Sequence, residues 1–417
     1  MNDWPMFRHD PQHTGYNDCK MSNELELLWK FKTKEGMFSP PVIAEEKVFL
    51  GSDNGYFYCL HASSGELIWK EQIGECADSS PAVINGKVYV GSRDHHVICL
   101  DSNKGDLLWE YKTGKTVSSC PVVVNNRVYI GSDRYLYCLD ATLGRSIWKY
   151  KLGEYMWSSP AVANNKVYVG SDDHYVHCLN VETGILIWKY KTESDIFSSP
   201  AIAYGKVYVG SDDNNLYCLN ADTGDLIWKF RTGKEVYSSP AIANNRLYIG
   251  SDDGYLYCFN ANTGDIIWAH NFGHPISMSP AVNKDRVYVG NHFVSCLNAT
   301  TGKIVSEYGD KCLNKGCNSP IIANNRLYVS SYYSGCLLCF YNKNNRKKMS
   351  PELKRLLEKR EEWRAKLEDL KREKEDLIRR GVMTEEYYQQ RYEEIINTLV
   401  DIEDRIIQEK MKGGKKK

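Results

Sequence analysis

Apolar residues in this chain fall in short blocks, and the blocks recur. Residues 197–231, FSSPAIAYGKVYVGSDDNNLYCLNADTGDLIWKFR, show the unit. SPAIA, KVYVG, LYCLN and DLIWKF are rich in Val, Ile, Tyr and Trp, which suit a pleated, half-buried surface. Between them stand Tyr204-Gly205, Ser211-Asp212-Asp213-Asn214 and Ala221-Asp222-Thr223-Gly224. Such residues supply the turns of tight hairpins. The pattern predicts four antiparallel strands per unit.

The unit returns about every 40 residues, marked by Trp29, Trp69, Trp109, Trp148, Trp188, Trp228 and Trp268. Proline keeps step at Pro41, Pro81, Pro121, Pro160, Pro200, Pro240, Pro280 and Pro320, and a cysteine follows in every unit from Cys59 to Cys339. Eight four-stranded units of this period predict an all-β, eight-bladed β-propeller. The eighth unit lacks a fourth strand, and a spare one, ELELLWKFK at Glu24–Lys32, precedes the first unit. That strand is expected to complete blade eight and remove the ring's open edge. The tryptophans are expected to dock blade on blade, each contributing on the order of 1.5–3 kcal/mol or more. The repeated cysteines read as small, soft packing residues.

Asn220–Trp228, NADTGDLIW, resembles the tryptophan-docking motif of the quinoprotein (PQQ-type) β-propeller repeat family, as do Asn180–Trp188, Asn260–Trp268 and the looser His61–Trp69. Trp4–Gly15, WPMFRHDPQHTG, looks like the segment that precedes such propellers. The resemblance covers roughly residues 1–341 and implies the fold. Its members include dehydrogenases, outer-membrane assembly lipoproteins and ligand-sensing domains, so it does not fix a function. The enzymes hold a Ca²⁺-bound quinone in the channel, with a catalytic Asp and, in many members, two adjacent cysteines. This chain has no Cys-Cys pair, and its repeats are too uniform for the insertions that build a cofactor chamber. The reading is therefore of the non-enzymatic branch, with no cofactor, catalytic residue or metal.

Composition adds bounds. Lys+Arg and Asp+Glu are both 53, and no nucleic-acid-reading motif stands in the chain. The start MNDWPMFRHD lacks the apolar core of a secretory signal, and no stretch reaches membrane-spanning length. Fourteen cysteines without a signal fit a reducing compartment, so a cytoplasmic location is expected, with no membrane or nucleic-acid partner.

Departures from the repeat mark candidate sites. Three positions before each aligned proline stand Phe38, Asp78, Ser118, Trp157, Phe197, Tyr237, Ser277 and Cys317. The aromatics and Asp78 and Cys317 form a candidate ligand face, a funnel for a peptide or small molecule; the alternative is that the aromatics plug the channel. Acids in the turns between second and third strands, such as Asp172-Asp173, Asp212-Asp213 and Asp252-Asp253, invite a Ca²⁺ reading but suit turn geometry better. His95-His96, His174 and His177 read as loop or packing residues. In blade seven, Ser306 replaces tryptophan. The nearby Cys312, Cys317, Cys336 and Cys339 superficially resemble a zinc-ribbon spacing, and a Cys312–Cys317 disulfide is a separate option.

Composition shifts after Lys348. Ser350-Pro351-Glu352 forms a helix start, and Thr384-Glu385-Glu386 another. Leu356, Trp363, Leu367 and Leu370 line one helix, and Tyr392, Ile395, Leu399, Ile402 and Ile406 the other. Residues 377–387, LIRRGVMTEEY, resemble the short C-terminal oligomerisation hairpin called SHOCT. Three parts are expected: an N-terminal extension, 1–23; the propeller, 24–346; and a helical arm with a basic tip, 347–417. Together they suggest a non-catalytic propeller scaffold that binds a protein or ligand. Its hairpin would self-associate or dock to a partner.

Overall fold

The computed structural model describes residues 3–22, 24–37, 39–74, 79–309, 313, 316–342, 351–379 and 383–414. The chain separates into two compact units, 1–342 and 343–417.

The first unit is an eight-bladed propeller, each blade a four-stranded antiparallel sheet. Blade five shows the plan: strands Ala201–Ala203, Lys206–Gly210, Asn215–Asn220 and Leu226–Arg231, called A to D. The A–B turn places two consecutive residues at positive φ, Tyr204 and Gly205 here and Asn244 and Asn245 in blade six. Such turns match the twist of the flanking strands. In blades one to seven the C–D pairing shifts register just after the repeated cysteine, as between Cys218 and Leu219. The bulge bends strand D. Blade eight is completed by the strand Leu25–Lys32, which pairs antiparallel with Cys336–Asn342.

The core lies between neighbouring sheets: Tyr168 and Trp188 of blade four pack with Ile202, Val207 and Tyr217 of blade five. Each repeat tryptophan reaches across. Trp188 Nε1 donates to Ala221 O of the next blade at 3.2 Å, and Trp29 Nε1 closes the ring on Ala62 O at 3.1 Å. The same bond recurs at Trp69, Trp109, Trp148, Trp228 and Trp268. Strand-B tyrosines share these carbonyls, as Tyr208 Oη and Trp228 Nε1 share Ala261 O. The repeated cysteines, Cys59, Cys99, Cys138, Cys178, Cys218, Cys258, Cys296 and Cys339, are buried, and burial pushes thiols such as Cys218 up to about 12, which keeps them protonated.

Blade seven lacks this dock. Ser306 Oγ instead pairs with Tyr308 Oη at 2.8 Å, and among the described residues the buried Tyr288 hydroxyl has no hydrogen-bond partner.

The second unit is a pair of helices, α1 (Pro351–Arg379) and α2 (Glu385–Gly414). Glu352 pairs with Arg405 at 3.1 Å and Lys374 with Glu385 at 2.6 Å, so the helices run antiparallel. Thr384 Oγ1 caps α2 by accepting from Tyr387 N–H. Leu356, Ile402 and Ile406 form its core with Trp363 against them, and Leu367 and Ile395 are also buried. Leu370, Tyr392 and Leu399 are half-buried. Ser350 and the turn at 380–382 lie outside the described residues. Among the described residues no helix is long and apolar enough to cross a membrane.

Candidate functional site at the channel mouth

A belt of hydrogen bonds joins the blades where strand A begins. In blades three to seven the residue before the aligned proline donates its N–H to the side chain one blade on: Cys120 to Ser159 Oγ, Ser159 to Ser199, Ser199 to Ser239, Ser239 to Ser279 and Ser279 to Ser319, at 2.8–3.0 Å. Ser80 N–H meets Cys120 Sγ, and Ser80 Oγ reaches Pro40 O. The belt fixes the positions that precede it.

Residues 4–15 close the channel at the far end of the inner strands. Val83, Val162, Ile202, Ile242 and Val282 donate their N–H groups to Pro5, Pro11, Gln12, Thr14 and Gly15 carbonyls, and Ile43 exchanges two bonds with Trp4. Arg8 and His13 point inward and are buried. Arg8 Nη1 and Nη2 donate to Pro280 O and Pro240 O. His13 Nδ1 donates to Pro200 O, and burial pushes the ring down to about 3, so it stays neutral. The sequence segment that reads only as an extension is therefore a plug, and its recognition of the blades runs through backbone carbonyls.

The opposite mouth carries the aromatic positions. Trp157, Phe197 and Tyr237 step across blades four, five and six with ring centroids 6.3 and 5.7 Å apart. Trp157 is 46% exposed, so the aromatics do not simply fill the channel. Phe38 and Asp78 lie outside the described residues. Cys317 is buried, and its thiol donates to Asn291 O at 2.8 Å.

Acids border the aromatic steps. The paired aspartates of each turn divide their work. Asp213 accepts Asn215 N–H and Tyr217 Oη–H within its own blade, which is the turn role read from sequence. Asp212 instead belongs to the mouth, beside Asp195, Glu235 and Asp172. Burial first, then Asp195 and Glu235, push Asp212 up to about 7. Burial, Asp195 and Asp173 push Asp172 up to about 6. Burial and the charges of Asp212, Glu235, Asp252 and Asp195 raise the Tyr237 phenol. His174 Nε2 lies 3.1 Å from Asp195, and Ser277 Oγ donates to Asp252 at 2.7 Å. The mouth therefore combines an aromatic ladder, exposed at Trp157 and half-buried at Phe197 and Tyr237, with crowded carboxylates, which suits a cation. Its mirror-image weakness is for anions.

These residues do not fit a calcium-bound quinone. Among the described residues no three His, Cys, Asp or Glu side chains converge to hold a metal. The channel guanidinium, Arg8, is already engaged by the two proline carbonyls.

Comparisons with known proteins agree on the ring. A family model for the β-propeller of the beta-alanine-activating enzyme matches residues 44–244, and one for the outer membrane protein assembly factor BamB matches residues 172–354. No curated protein matches the chain. BamB from Moraxella catarrhalis superposes with a TM-score of 0.67 at 18% identity, over 76% of this chain and 100% of that one. Quinohemoprotein alcohol dehydrogenase from Comamonas testosteroni gives 0.70 at 15% identity, over 81% and 80%. The computationally designed Ika8 protein gives 0.69 at 16% identity, over 76% and 100%. An assembly factor, an enzyme and a design share the likeness, which at these identities is one of fold alone.

Proposed function

Because this chain belongs to the quinoprotein (PQQ-type) β-propeller repeat family, whose fold leaves function to the site, we propose that it is a non-catalytic scaffold binding a basic peptide segment of a partner protein at the open channel mouth. The reading rests on one observation: the Trp157–Phe197–Tyr237 ladder, exposed at Trp157 and half-buried at the other two rings, bordered by Asp172, Asp195, Asp212 and Glu235. A Lys or Arg side chain laid over such rings gains about 0.5–2 kcal/mol, and the carboxylates select its sign. The helical hairpin serves as an assembly arm that pairs with a second copy, a role supported by the SHOCT-like segment. With its leucine and isoleucine seam turned inward, pairing would use the outer faces, where Tyr387 and Val400 are exposed. Free, buried cysteines accord with a reducing, cytoplasmic setting.

Calorimetric titration with an extended Lys/Arg-rich peptide tests the mouth. Trp157→Ala should weaken binding about 2- to 30-fold, and a Glu-substituted peptide should not bind. Equal binding of both peptides, or an unchanged affinity in the variant, overturns the reading.

A further inference from the structure

The plug skips blade three, between two blades that it holds. Val83 N–H of blade two donates to Pro5 O and Val162 N–H of blade four to Pro11 O, both at 2.7 Å. Val123 is their counterpart in blade three. It stands opposite Val128 as Val83 stands opposite Val88 and Val162 opposite Val167. A residue at this register turns both its N–H and its C=O away from strand B, toward the channel. Among the described residues no plug carbonyl meets Val123 N–H. Between Pro5 and Pro11 the chain turns aside instead. Met6 O accepts from His9 N–H at 3.1 Å, and Arg8 and His9 stand at φ +57° and +80°. Two consecutive non-glycine residues in the left-handed region carry a conformational cost, so the detour is a formed turn and not slack chain.

The detour borders a cavity of about 860 Å³ whose wall includes Pro5, Pro11 and Val123. That is the size of a site for a small organic ligand. Met6, Ile84 and Val124 make part of the wall apolar, and Tyr16 adds a half-buried ring. Asp3, Asp10 and Asp18 bring three carboxylates, while among the described residues no Lys or Arg lines the cavity. Asp3 accepts from Glu45 N–H and Asn324 Nδ2, neutral donors that leave its charge in place.

We propose that this cavity binds a short extended peptide that carries an ammonium group. The peptide backbone takes the rung that the plug leaves open at Val123, exchanging two hydrogen bonds as Trp4 does with Ile43 at 2.7 and 2.9 Å. The ammonium, an α-amino group or a lysine side chain, is selected by carboxylates that have no basic neighbours in the wall. The site lies at the plugged end of the channel and works independently of the open mouth.

Three amides probe it on the full chain: alanyl-alanine amide, with a free α-amine; acetyl-alanyl-lysine amide, with only the side-chain amine; and acetyl-alanyl-alanine amide, with neither. Calorimetry is done in the Trp157→Ala background, which weakens the mouth. At least one charged amide should bind, about tenfold or more tightly than the uncharged one, and the tighter of the two identifies the source of the ammonium. Val123→Pro, which removes the N–H, should weaken that binding about tenfold. Crystals of the wild-type chain soaked with the bound amide should place its backbone within hydrogen-bond reach of Val123 N, a result that stands even if Val123→Pro fails to fold. Equal binding of all three amides, no binding at millimolar concentration, or a bound amide lying away from Val123 overturns the proposal.

Discussion

Gly224 lies against the Trp188 indole, close enough that a Cβ there would fall 2.6 Å from Trp188 Cδ2, and its φ is +78°. The flat ring and the bare glycine are two halves of one joint between blades four and five.

Gly224→Ala should therefore destabilise the propeller by about 2–4 kcal/mol, from overpacking added to the left-handed backbone penalty. Gly205→Ala provides the control. Its φ is +69°, but nothing lies within 4 Å of the added Cβ, so it should cost only about 1–2 kcal/mol. Denaturant unfolding of the two variants separates packing from conformation; equal losses would refute the joint.

The seam between blades seven and eight invites the opposite test. Tyr208→Phe removes a 3.0 Å bond to Ala261 O and should cost about 0.5–1.5 kcal/mol. Tyr288→Phe removes a buried hydroxyl with no partner among the described residues and should be neutral or stabilising. Thermal unfolding that ranks them the other way would show that Tyr288 is satisfied.

The mouth should respond to pH. Asp172 and Asp212 hold their protons up to about 6 and 7 in the folded chain, against 3.8 ordinarily. The folded state thus binds more protons between about pH 4 and 7, and this contribution to stability falls as pH rises across that window. Asp212→Asn should flatten the slope and raise Tm at pH 8 more than at pH 4. Basic-peptide affinity should move the other way, strengthening roughly three- to tenfold from pH 5 to 8 as the carboxylates ionise. A pH-independent affinity would remove these two acids from the interface.

Much of this was readable from the repeat. Trp188, Cys218 and Gly224 recur at fixed positions, so one strand pattern, multiplied by the period, yields the ring and its closure by Leu25–Lys32. Trp157, Phe197 and Tyr237 stood out because their column varies where its neighbours do not. Asp212 did not stand out, because it and Asp213 are alike in sequence. The turn sends one carboxylate back to its own blade and the other toward the mouth. Arg8 was harder still. It has no periodic pattern around it, and its partner Pro280 lies 272 residues away, offering a carbonyl that every residue possesses.

The arm makes its own prediction. Light scattering of the full chain should give a multiple of the monomer mass, and deletion of 350–417 should return a folded monomeric propeller. Identical masses for both would end the assembly role.

Carbonyls spaced along a dozen residues of the plug accept from blades one, two, four, five, six and seven. Those acceptors come into register only when the blades stand at their final angles. The segment is synthesised before the ring yet can settle last, after the strand just behind it has met Cys336–Asn342. A ring missing a blade, or holding a foreign strand in place of Leu25–Lys32, would leave it unseated and exposed to proteases, where a misassembled molecule could be recognised and destroyed.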